Sequence, residues 1–104
     1  MGVPKVLSDG EIDGRLAELP GWERVGNEIT RTYEIRYHAA VAAIVTIADR
    51  SRRIQHHADL DLRIDHLRAT VTTHDAGHHL TAADFDLAQR IDAIVAAHQS
   101  LPLD

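Results

Sequence analysis

Hydrophobic and polar positions along this chain change period several times, and each change marks an element. Ser8-Asp9-Gly10-Glu11 has the spacing of a capping box, with Leu7 and Ile12 placed as a hydrophobic staple. A first helix is predicted over residues 9–19, burying Ile12, Leu16 and Leu19; Gly14 weakens it and Leu19-Pro20-Gly21 ends it. The period then falls to two. Residues 22–25 and 28–36 predict strands around a tight Gly26-Asn27 turn, with Ile29, Tyr33 and Ile35 on one face and Thr30, Thr32 and Glu34 on the other. Residues 37–54 return to helical spacing, with Val41, Ile44, Val45, Ile47 and Ala48 as the apolar face.

Alternation resumes over residues 60–71, which read as a second hairpin. With Asp65-His66 as a two-residue turn, Ile64 pairs with Leu67, Leu62 with Ala69 and Leu60 with Val71. Carried outward, that register sets His57 opposite His74, and facing strand residues have Cβ atoms roughly 4.5–5.5 Å apart. Asp75-Ala76-Gly77-His78-His79 reads as a loop with a solvated histidine tip. Leu80-Thr81-Ala82-Ala83-Asp84-Phe85 opens a third helix with another staple and box; Leu87, Ala88, Ile91, Ile94 and Val95 form its buried stripe, and His98 lies at the far end. The order α-β-β-α-β-β-α predicts an α+β fold: one domain over residues 1–104, with an antiparallel sheet and the helices on one face. The opposite face carries threonines and charges, suited to solvent or to assembly.

Composition narrows the function. A chain of 104 residues, 44% hydrophobic and 26% charged, fits one soluble domain with a single core. Cysteine is absent, so disulfides and thiolate chemistry are excluded, and a zinc site would need histidine and carboxylate ligands. No stretch approaches the roughly 18 apolar residues of a membrane span, and the start lacks a signal-peptide core. A cytoplasmic protein is expected. The net charge of −5 argues against nucleic acid as a partner. Arg50, Arg52 and Arg53 read as a solvated last helical turn favoured by the helix dipole.

The candidate chemistry lies in the histidines. Imidazole changes charge near neutral pH, so His56, His57 and His74 brought together could supply both a general acid and a general base. His38, His66 and His98 read as structural or solvated. Asp84 is fully explained as a helix cap, and Asp59 and Asp61 as polar strand residues. His74 with His78, or His56 with His74 and Asp75, has ligand types that zinc accepts. Gly77 and the late cap at Thr81 make that segment a loop, and no metal is expected.

His56-His57-Ala58-Asp59-Leu60-Asp61-Leu62-Arg63, then Thr72-Thr73-His74, then Leu80-Thr81 with Asp84 and Leu87-Ala88, resembles the pterin-4a-carbinolamine dehydratases. The resemblance runs from Leu7-Ser8 and Gly21-Trp22 to the last helix. It implies a four-stranded antiparallel sheet with three helices on one face, assembled as a homodimer or homotetramer. It also implies loss of water from a 4a-hydroxytetrahydropterin, giving the quinonoid dihydropterin, with no cofactor. His56, His57 and His74 would form the catalytic set, with His56 and His74 as acid and base. His57 would mainly hold the pterin, and Asp59, Asp75 and Asp84 would line or support its site. The chain departs from the family pattern at Arg52, Ala58 and Ile64, and the loop holding His78-His79 is one residue longer. Two other readings stay open: dehydration or proton transfer on a different small molecule, and a non-enzymatic protein-binding or assembly factor.

Overall fold

The computed structural model describes residues 4–101. Its elements are α1 (Asp9–Leu16), β1 (Glu23–Val25), β2 (Glu28–Glu34), α2 (Tyr37–Ile54), β3 (Asp59–Leu62), β4 (His66–Val71), a 3-10 turn at His74–Ala76, and α3 (Ala82–Gln99). The four strands form one antiparallel sheet in the order β1-β2-β4-β3. This is the α+β order that the periodicity predicts.

The capping box of α1 is present: Ser8 Oγ accepts from the Glu11 N–H (3.2 Å), and Glu11 accepts from the Ser8 N–H (3.0 Å). The Ser8 N–H, followed by Lys5, holds the Glu11 carboxyl down at about 2. The helix ends at Leu16, three residues earlier than expected, and a pair of tight turns carries Leu19 into the core. β2 stops at Glu34, leaving Arg36 to begin α2.

One face of the sheet carries Ile29, Tyr33, Leu67, Ala69 and Val71, all buried in a core shared with Ile12, Ile47, Phe85, Leu87, Ile91 and Val95 from the helices. On the other face Thr30 is also buried, because Arg68 lies over it and donates to its hydroxyl (3.1 Å). The buried side of α2 differs from the expectation. It consists of Ala39, Ala40, Ala43, Ile47 and Ser51, whereas Val41, Val45 and Ala48 are exposed. α2 and α3 pack against each other, and small residues let helix backbones approach closely, so the alanines rather than the valines take the inner side.

The second hairpin also differs. Leu62 pairs with Leu67 and Leu60 with Ala69, and Arg63 N–H donates to His66 O (2.9 Å), so Ile64-Asp65 forms the turn. The register is two residues away from the expected one. A shift of two leaves every side chain on its own face, so alternation cannot detect it. His57 is therefore not set opposite His74. Ile64 projects from the hairpin tip, 77% exposed.

α3 is tied to the sheet by one carboxylate. Asp92 Oδ1 accepts from Trp22 Nε1 (2.9 Å), Arg31 Nη1 (2.9 Å) and Tyr33 OH (2.5 Å). Burial, and then the hydrogen bond to Asp92, push the Tyr33 phenol far above its ordinary range, so it remains a donor. Asp92→Ala should cost about 2–4 kcal/mol, since it strands two largely buried donors at about 1–3 kcal/mol each. Denaturant titration of the variant checks this.

Candidate functional site

The site starts from the cap of α3. Thr81 is the N-cap, and Asp84, three residues on, returns its carboxylate to the Thr81 N–H (Oδ2, 2.9 Å). A cap needs only one oxygen. The same Oδ2 accepts from Thr73 Oγ1 (2.7 Å), and Oδ1 faces His56 Nε2 (2.7 Å). Thr73 and Thr81 hydroxyls are 2.7 Å apart. Asp84 is wholly buried, while the His56 side chain keeps 13% of its surface open. The buried carboxylate is a fixed acceptor, so His56 Nε2 is the donor, and in the neutral ring the lone pair lies on Nδ1.

His56 reaches this point because α2 stops abruptly. Gln55 takes the left-handed conformation (φ 54°), and the His56 N–H closes onto Ser51 O (3.1 Å). The chain then turns into β3, leaving His57 exposed beside the site. Thr73 arrives from the end of β4. Asp84 thus joins the segments that precede β3 and follow β4, where direct strand pairing does not.

His74 begins the 3-10 turn directly after Thr73 and is exposed. Its ring meets His78 edge to face, with centroids 4.5 Å apart and planes at 89°. His74 Nδ1 lies 3.4 Å from His78 Nε2. Among the described residues no hydrogen bond or ring contact joins His74 to His56 or His57. The histidine pair 78-79 is more than a solvated tip: Thr73 forms a bridge with His79 as well as supporting Asp84. Asp59 and Asp75 are exposed, at the start of β3 and in the 3-10 turn respectively.

Asp84 takes up the helix cap that its spacing predicts and also holds His56. Thr73 was missed as a site residue, since a strand threonine carries no signal for a buried acceptor. The three departures from the family pattern separate. Arg52 bonds Asp49 on its own helix (2.7 Å), and Ala58 packs against the core. Ile64 lines a cavity of about 890 Å³ with Tyr37, His38 and Leu101, to which His56, His57 and His74 do not contribute. Among the described residues no three histidine, cysteine or acidic side chains are grouped to hold a metal, and no helix is long and apolar enough to cross a membrane.

Known proteins resemble this chain over most of its length. Residues 5–94 match the family model described as "Pterin 4 alpha carbinolamine dehydratase". A protein of Roseiflexus sp. (strain RS-1), named "Putative pterin-4-alpha-carbinolamine dehydratase", is 46% identical over 90 residues, covering 86% of this chain and 96% of its own. A Streptomyces avermitilis protein of the same name is 43% identical over 93 residues, covering 88% and 92%. The fold is shared with the crystal structure of a transcriptional coactivator/pterin dehydratase from Brucella melitensis: TM-score 0.81 at 23% identity, covering 88% of this chain and 99% of that one.

Proposed function

This chain belongs to the pterin 4-alpha-carbinolamine dehydratase family, and on that premise we propose that it converts a 4a-hydroxytetrahydropterin to the quinonoid dihydropterin by histidine acid/base catalysis. The observation that carries the reading is the His56–Asp84 couple. An imidazole backed by a buried carboxylate has a fixed tautomer, and any positive charge it gains is compensated on site.

In the proposed reaction His56 Nδ1 takes the proton from the ring nitrogen next to C4a. His74 gives a proton to the 4a-hydroxyl, the C–O bond breaks, and water leaves with the bonding pair. The ring nitrogen's freed pair closes the new carbon–nitrogen double bond. No electron carrier is needed, since water is lost without net oxidation. The solvent-exposed His74 regains its proton directly from water, whereas the sheltered His56 returns its own between turnovers. In this reading His57, next to His56 in sequence and exposed, holds the pterin, and the exposed Asp59 and Asp75 contribute to its binding. The same reading implies pterin recycling in the cytoplasm, with a tetrahydrobiopterin-type cofactor as the source of the substrate. It also implies a homodimer or homotetramer, supported by Val41 and Val45 (37% and 65% exposed), apolar surface on α2 that a second copy would cover.

The test is the dehydration rate of chemically generated 4a-hydroxytetrahydropterin, followed by stopped-flow absorbance. Acceleration over buffer that saturates with substrate is expected. A rate equal to buffer rejects the proposal.

A further inference from the structure

We infer that His78 is a positioning residue for His74, fixing that ring's orientation and tautomer and so the nitrogen it offers to substrate. The inference rests on the proposed role of His74. Its starting point is backbone strain. Gly77 and His78 are both left-handed, at φ 71° and 62°. Glycine adopts this freely, but a residue with a Cβ gives up roughly 1–2 kcal/mol. Such strain persists where surrounding structure over-determines it, and it concentrates at functional sites.

The surroundings here are specific. The His78 N–H donates to Thr73 O (3.1 Å), the Gly77 N–H to His74 O (3.0 Å), and the Thr73 N–H to His79 O (3.2 Å). The loop therefore closes around Thr73, the same residue that anchors Asp84. The left-handed turn brings the His78 ring back onto His74, with Nε2 3.4 Å from His74 Nδ1. A proton can occupy only one of two facing nitrogens, so one donates and the other accepts.

An imidazolium carries hydrogen on both nitrogens, so the acid form of His74 donates from Nδ1 and His78 Nε2 accepts; with that pairing kept, the neutral ring also retains its hydrogen on Nδ1. The proton that comes and goes is then always the one on Nε2. His74 as imidazolium gives its Nε2 proton to the departing hydroxyl and is left neutral with Nδ1–H still held by His78. Without His78 the neutral ring would divide between two tautomers and rotate, and part of the population would present the wrong nitrogen.

His78→Gly separates this role from a structural one, because glycine suits φ 62° and relieves the strain. The variant should melt at or above the wild-type temperature. Its kcat should nevertheless fall about tenfold at unchanged KM, a fraction of the roughly 10²–10⁴-fold that acid/base help supplies. Nitrogen-15 spectra of the His74 ring should change from a single Nδ1–H tautomer to a mixture. A variant whose His74 ring nitrogens match wild type overturns the inference, whatever its rate. Wild-type protein without activity would reject the proposed reaction, while the nitrogen spectra would still decide the pairing.

Discussion

Asp84→Ala should remove at least about 3 kcal/mol of stability, because each of the three donors it strands costs about 1–3 kcal/mol when left unsatisfied. The carboxylate is fully buried and accepts from His56, Thr73 and the Thr81 N–H. Alanine leaves all three donors without their acceptor, and the capping box of α3 loses its carboxylate half while Thr81 remains. Against a total of about 5–15 kcal/mol for a domain, this is a large part of the margin. Thermal melting should show a fall of more than about 10 °C, given about 4–8 °C per kcal/mol at this size. A variant that melts within a few degrees of wild type would mean that water or another group replaces the carboxylate. Asp84→Asn should be milder in stability but still severe in rate. Its amide offers one acceptor oxygen, so it cannot serve His56 and the Thr81 N–H together.

His56→Ala and His74→Ala should each lower kcat by about 10²–10⁴-fold, the range for loss of one general acid or base. KM should change little, whereas His57→Ala should act mainly on KM. Stability distinguishes the two catalytic positions. His74 is exposed, so its loss should leave the melting temperature near wild type. His56→Ala strips Asp84 of a partner and should melt lower. Single-turnover kinetics beside calorimetry on the same samples tests both halves, and a His74→Ala variant with wild-type kcat would remove His74 from the mechanism.

Much of the fold was legible because its determinants are local. The 37–54 helix has the predicted bounds, and Ser8 and Thr81 mark helix starts through hydrogen bonds within three residues. The alternation of Leu60 and Leu62 correctly assigned the sheet faces. What failed depends on distant partners. The hairpin register differs by two residues, a change that preserves faces and so leaves no trace in the pattern. The inner side of α2 follows the close approach of α3, which favours Ala39, Ala40 and Ala43 over the more hydrophobic Val41 and Val45. At the site, the histidines and Asp84 were visible as residue types. Their connection was not: a cap accounts for Asp84 without catalysis, and the family resemblance implies a supporting role for it without saying which side chains it holds. The left-handed backbone at His78 is equally silent, since that conformation ordinarily points to glycine or asparagine.

Asp92, with no part in the proposed chemistry, has a consequence for it. It stands eight residues beyond Asp84 on α3, about 12 Å along the axis at 1.5 Å per residue. Each carboxylate is fastened to groups outside the helix: Asp84 to His56 and Thr73, Asp92 to Trp22, Arg31 and Tyr33. A rod held at one point can pivot; held at two, it can neither slide nor roll. A slip of a single residue would carry Asp84 1.5 Å along the axis, half the length of a hydrogen bond. The distant clamp therefore acts as a gauge, setting the axial position from which the His56 ring takes its alignment.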